Sequence, residues 1–186
     1  TDVVISEPGY VEPRKGNATL VEIAEQLPEY EFVIAGGPPD EGYSDYFEQI
    51  QQNAPDNLKV TGHLSEEMFH ATFVASDIIL LPYHKVDQKG IVNALNQSGI
   101  FNRSATYGKP VIAADLIHFN KLESEWNCLL TNNFEDTDTT IKTIQTLLTN
   151  DAKRREISEQ IKRYASVNSF DKIAEQHLDI YREIIS

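Results

Sequence analysis

Ile78-Ile79-Leu80-Leu81-Pro82 is a run of four apolar residues without alternation, closed by a proline. Unbroken apolarity over so short a span marks a strand buried on both faces, and therefore a parallel sheet covered by helices on each side. The flanking sequence keeps to that plan. Upstream, Val3 to Ser6 reads as a strand ending at Glu7-Pro8-Gly9. From Asn17 the period changes, with Leu20, Ile23, Ala24 and Leu27 on one helical face, Asn17 as the expected N-cap and Pro28 as the stop. Glu31 to Ala35 is a second strand, Tyr43 to Gln52 a helix, and Leu58 to Thr61 a short strand. Ser65, followed by Glu66 and Glu67, predicts a capped helix running to Ala75, with both carboxylates at the positive end of its dipole.

Downstream, a loop from His84 to Asn96 leads to a helix from about Ser98 to Gly108. Pro110 to Ala113 and Cys128 to Leu130 read as strands, and Thr139–Leu148, Asp151–Val167 and Ser169–Ile185 as helices. Strands alternating with helices imply right-handed crossovers. With no repeat and no composition break, residues 1–186 are expected to form one doubly wound α/β domain.

The charge balance narrows the function. Sixteen Lys+Arg against 29 Asp+Glu give a formal net charge of −13, which argues against a general nucleic-acid binder. The single cysteine, Cys128, excludes an internal disulfide and a multi-cysteine zinc site. No apolar run reaches the ~18–20 residues of a membrane span, and no signal-peptide pattern opens the chain, so an intracellular protein is expected.

In a doubly wound sheet, ligands bind beyond the carboxyl ends of the strands. Two loops there suit a phosphorylated ligand. Gly9-Tyr10-Val11-Glu12-Pro13-Arg14-Lys15-Gly16 places adjacent cations ahead of a helix, and Gln97-Ser98-Gly99 precedes a helix whose first N–H groups can hold a phosphate. Against this, Arg14 and Lys15 also fit solvated loop charges, and Ser98 taken alone is an N-cap. Gly36-Gly37-Pro38-Pro39 lacks the three-glycine dinucleotide spacing. His63 and His84 are the best-placed histidines, whereas His70, His118 and His177 read as structural. No Ser/His/Asp order and no metal-ligand spacing occurs. The chemistry supports a phosphate ligand and identifies no catalytic base.

The order of these segments resembles the C-terminal domain of the GT-B glycosyltransferases of the group 1, retaining type. The likeness runs from Pro13-Arg14-Lys15-Gly16 through Phe32-Val33-Ile34-Ala35-Gly36-Gly37-Pro38 and Asn57 to Leu64. It continues in Ala75 to Tyr83, Gln97-Ser98-Gly99-Ile100, Gly108-Lys109-Pro110-Val111-Ile112-Ala113-Ala114-Asp115 and the closing Ser169 to Tyr181. It implies a Rossmann-like half of a GT-B fold that binds a nucleotide-activated sugar and needs no cofactor or metal. By that likeness Gly9, Arg14, Lys15, Ser98, Gly99 and Ile100 hold the donor diphosphate, while Gly37, His63, Leu64 and Gln97 lie on the base or sugar side. The fixed cations and amides would stabilise charge on the leaving diphosphate.

Some positions depart from the family. Its two glutamates fall here on Leu95 and Arg103, and Tyr10 stands where relatives often carry an arginine. Two readings stay open: a donor-binding half of a hexosyltransferase making a lipid, polysaccharide or glycoprotein glycan, or a non-catalytic module that has lost the sugar and ribose carboxylates. A flavodoxin-like signalling or flavin domain is a third, which the cation loop does not support. The expected partners are an absent N-terminal acceptor domain or a second copy of the chain against the last helix. A lipid-linked acceptor would bring the protein to the inner face of the membrane. No nucleic acid is expected.

Overall fold

The structure is a computed structural model that describes residues 3–85 and 97–185. Six parallel strands, β1 (Val4–Pro8), β2 (Glu31–Ala35), β3 (Leu58–Val60), β4 (Ile78–Leu81), β5 (Val111–Ala114) and β6 (Leu130–Asn132), lie in the order β3-β2-β1-β4-β5-β6. The order reverses between β1 and β4, where Ile5 pairs with Ile78 and Ser6 with Ile79. That switch point opens a crevice at the carboxyl ends of these two strands. All four residues of β4 are fully buried, as the unbroken apolar run requires. β5 is buried throughout in the same way.

The helices are α1 (Asn17–Gln26), α2 (Ser44–Gln52), α3 (Glu66–Ala75), α4 (Gly99–Tyr107), α5 (Ile117–Trp126), α6 (Thr137–Thr149), α7 (Asp151–Val167) and α8 (Phe170–Ile185). α1 packs on α2 and α6, whereas α4 packs on α3 and α7, so the two sets cover opposite faces of the sheet. Ser65 caps α3 by accepting from the Met68 N–H, and Asp136 caps α6 by accepting from Thr139. The core runs through both layers, with Phe32, Phe73, Phe101 and Phe119 its largest fully buried side chains.

Two local expectations need correction, and one helix, α5, is not among those expected. Asn17 is the first helical residue rather than the cap of α1; Gly16, at φ 80°, holds that place. A side chain at residue 16 would meet the Pro82 carbonyl oxygen at 2.0 Å, so close approach of two backbones dictates glycine there. The last strand lies at Leu130–Asn132, because Cys128 and Leu129 are buried just ahead of the ladder and Asn132 is fixed by the Thr140 hydroxyl. α5 carries no side-chain N-cap and buries only Phe119, which leaves little helical signal in its sequence. α8 stands apart from the core. None of its residues is buried, and Phe170, Ile184 and Ile185 are 93%, 75% and 84% exposed.

Candidate phosphate-binding site

The loop after β1 is fastened on both sides. The Gly9 and Val11 N–H groups donate to the carbonyls of Ala35 and Gly37, tying the loop to the end of β2. The His84 N–H donates to the Arg14 carbonyl, tying it to the end of β4. Gly36 lets β2 pass so close that a Cβ there would sit 1.8 Å from the Gly9 oxygen. Within the loop, the Asn17 side chain accepts from the Glu12 N–H at 3.0 Å and donates to Glu7 Oε1 at 2.8 Å. Glu12 in turn pairs with Arg14.

Lys15 differs from Arg14. Among the described residues it has no carboxylate within ion-pair distance. Its Nζ lies 4.0 Å from the centre of the Tyr83 ring, a cation–π contact. Burial, and then the neighbouring Arg14 charge, bring its pKa down to about 8, against a smaller opposing pull from Glu12 and Glu7. The Tyr83 hydroxyl lies 3.1 Å from Ser98 Oγ, and burial raises the pKa of that phenol. Ser98 also caps α4 by accepting from the Phe101 N–H, so the N-cap role is real. The next residues, Gly99 and Ile100, have no intrahelical carbonyl for their N–H groups.

Arg14, Lys15, Tyr83, Gln97, Ser98, Gly99 and His118 enclose a cavity of about 340 Å³ at the switch point. The two loops singled out from sequence therefore converge. Gly9 lies alongside, where a Cβ would fall within ordinary contact distance of the Ile100 side chain. The remaining candidates occupy the adjoining ends of β2 and β3. Gly37 is buried against the exposed His63 ring, where a Cβ would come within 2.8 Å, and Leu64 is half-buried beside it. Gly37, His63 and Leu64 flank the cavity rather than line it.

Other expectations fare differently. His118, read as structural, stands in the cavity wall. Arg103 is exposed and lies over the Phe69 ring on α3, 5.4 Å from its centre, rather than in the cavity. Leu95 and most of the His84–Asn96 loop lie outside the described residues. Sequence reasoning missed Glu7, which is only 2% exposed beneath this loop. An acidic residue in a strand that is otherwise uncharged and largely buried is the signal that marks it. Among the described residues, no group of three His, Cys, Asp or Glu side chains is arranged to hold a metal ion, and no helix is long and apolar enough to cross a membrane.

Comparison with known proteins places this architecture. The family described as "Glycosyl transferases group 1" matches residues 2–164. The alpha-galactosylglucosyldiacylglycerol synthase of Streptococcus pneumoniae is 28% identical over 179 residues, 94% of this chain and 44% of the synthase. Among solved structures, Anabaena Alr3699/HepE in complex with UDP superposes with a TM-score of 0.80 at 16% identity, covering 98% of this chain and 49% of its own. Sucrose-phosphate synthase from Thermosynechococcus elongatus gives 0.78 at 19% identity, covering 99% and 46%. The chain spans about half the length of the relatives it matches.

Proposed function

Because the chain belongs to the group 1 glycosyl transferases, we propose that it is the donor-binding half of a retaining, metal-independent hexosyltransferase. The observation that carries this reading is the position of Lys15. It sits just ahead of α1 and shares a cavity with the start of α4. Helix N-termini are the positive ends of their dipoles. A half-buried cation with no carboxylate partner there is unfavourable by itself and becomes favourable when an anion arrives. A diphosphate bridging Lys15 and the Gly99 and Ile100 N–H groups, with Arg14 at its margin, satisfies all of them.

On this reading the base or sugar side of the donor extends past Gly37 towards His63 and Leu64, with Gln97 at the mouth of the cavity. In transfer, the acceptor hydroxyl oxygen bonds to the anomeric carbon as the bond to the diphosphate breaks, and its proton passes to the departing phosphate oxygen. The nucleoside diphosphate leaves with the electron pair of the broken C–O bond, and Lys15 and the α4 amides stabilise its charge. The glycolipid synthase relative supports a lipid-linked acceptor, reached by peripheral association with a membrane surface. The rest of the enzyme, an acceptor domain or a second copy of the chain, would cover the exposed apolar residues of α8. The alternative, a binding module without catalysis, draws on Arg103, whose side chain does not reach the cavity.

Calorimetric titration with UDP-, GDP- and dTDP-sugars tests the reading. Saturable binding of at least one donor, without acceptor-dependent turnover by this chain alone, is the expected result. Failure of every nucleotide to bind would overturn it.

A further inference from the structure

Glu7 is the most unusual group near the cavity, and nothing so far gives it a task. It lies near the end of β1 in the core at 2% exposure, and among the described residues its side chain's only hydrogen bond is from Asn17 Nδ2 to Oε1 at 2.8 Å. Oε2 is buried without a hydrogen-bond partner. A buried carboxylate normally collects several donors, and burying one with a single donor is costly. The Asn17 side chain that holds Glu7 also holds the Glu12 N–H, and Glu12 pairs with Arg14, the neighbour of Lys15. Glu7 thus stands at the root of the network that shapes the cation loop.

We propose that Glu7 is a positioning residue of the phosphate site that works as a neutral carboxylic acid, and that its ionisation weakens the hold on a diphosphate. The inference rests on the donor-binding reading and adds a control by proton concentration to it. Neutral Glu7 keeps the Asn17 hydrogen bond, and so the loop geometry, without placing a negative charge under the incoming anion. The groups that face it agree. Lys15 is the cation above it, Asn17 on α1 is uncharged, and Tyr46 on α2 and Tyr83 after β4 are phenols that burial keeps protonated. Burial raises the Glu7 pKa to about 8, against the Asn17 hydrogen bond and the Lys15 charge. Lys15 is brought down to about 8. Both groups therefore lose protons in the same range, and a bound diphosphate, being negative, favours the protonated form of each. Affinity must fall as pH rises through that range.

Two measurements on this 186-residue chain test the inference, with UDP as the probe. In the ligand-free protein, the Glu7 carboxyl carbon, assigned through the backbone, should titrate near pH 8. A midpoint in the ordinary carboxylate range of about 4–5 would overturn the proposal. UDP affinity should then be followed from pH 6.5 to 9.5; the nucleotide's own secondary phosphate ionisation, near pH 6, is about three-quarters done at the start and essentially complete above pH 8, where the slopes are read. In the unaltered chain the fall should approach about two protons per UDP above pH 8, and in Glu7→Gln about one. Affinity at pH 6.5 should be the same in both within about threefold. An equal loss of affinity at every pH in Glu7→Gln would show a merely structural role and overturn the proposal. No binding of UDP at pH 6.5 by the unaltered chain would instead bring down the donor reading, while the carboxyl titration still reports on Glu7.

Discussion

The two ends of the sheet each carry a cluster of cations, and the clusters are built on opposite principles. At the amino ends of the strands, Lys109, Arg154, Arg155 and Lys162 line a depression of about 420 Å³. It is larger and richer in positive charge than the cavity holding Arg14 and Lys15. Yet two of these cations, Lys109 and Arg154, are already employed. Lys109 Nζ donates to the Val74 carbonyl in the last turn of α3 at 2.8 Å. Arg154 donates to the Leu147 and Leu148 carbonyls in the last turn of α6 and pairs with Asp151. Cations at helix C-termini satisfy orphan carbonyls and lie at the favourable end of the dipole.

At the carboxyl ends the helices begin, so the same charge sits at the unfavourable end. Lys15 is also half-buried and above a buried acid. Charge count alone would select the other depression rather than the one proposed as the site. What separates a site from a scaffold is whether the fold already neutralises its charge.

Glycine substitutions break the comparison most forcefully. Gly16→Ala would force a left-handed residue into the Pro82 backbone. It should cost about 3 kcal/mol or more and abolish nucleotide binding. Gly108, at φ 63°, is the counterpart at the other end, but a Cβ there meets only the flexible stem of Lys162. Gly108→Ala should cost about 1 kcal/mol and leave UDP affinity unchanged. Urea unfolding and calorimetry on both variants check the pair, and equal costs would show that the two ends are not distinguished in this way.

Arg154→Met sharpens the contrast by removing a cation from the scaffold end. Stability should fall by about 1 kcal/mol through the lost α6 carbonyl contacts, with UDP affinity intact. A drop in affinity would place a ligand role at that end. Salt should give the smallest effect. With a net charge of −13, raising NaCl from low to molar concentration should add roughly 1 kcal/mol or less by screening self-repulsion. The same change should weaken UDP binding. Melting curves and titrations in parallel test these opposite signs.

How far the sequence carried the fold depends on where each signal is written. Ile78–Leu81 and the Ser65 cap declare themselves locally, and the structure reproduces both. α5 does not, because it has no side-chain cap and only Phe119 is fully buried, with Leu122 and Trp126 packed on the core's edge. Asn17 has the right residue type for a cap, but tertiary demand takes its side chain for Glu7 and Glu12. The same division holds for the site. Arg14 and Lys15 stand out because cations are scarce in this chain, and Ser98 because it opens a helix. That Glu7 lies beneath the cation loop and His118 in the cavity wall is seen only once strand register and helix packing are known. Gly37, His63 and Leu64 are assigned to the base or sugar side through family likeness alone, since their own chemistry marks His63 only as a well-placed loop histidine and Gly37 only as part of a turn.

On the donor-binding reading, Lys15 is kept at two helix N-termini for an anion rather than for the fold. Lys15→Met tests it most directly, since methionine preserves the contact with the Tyr83 ring and removes the charge. A lysine whose pKa is lowered on folding costs stability below its folded value, here about 8, and the cost fades as pH rises from there towards the ordinary lysine value. At pH 7 unfolding should therefore become harder by about 1 kcal/mol, a figure discounted for solvent around this half-buried group. UDP affinity should fall by about one to two decades, the worth of a charge-assisted phosphate contact. Stability lost with affinity unchanged would contradict the account.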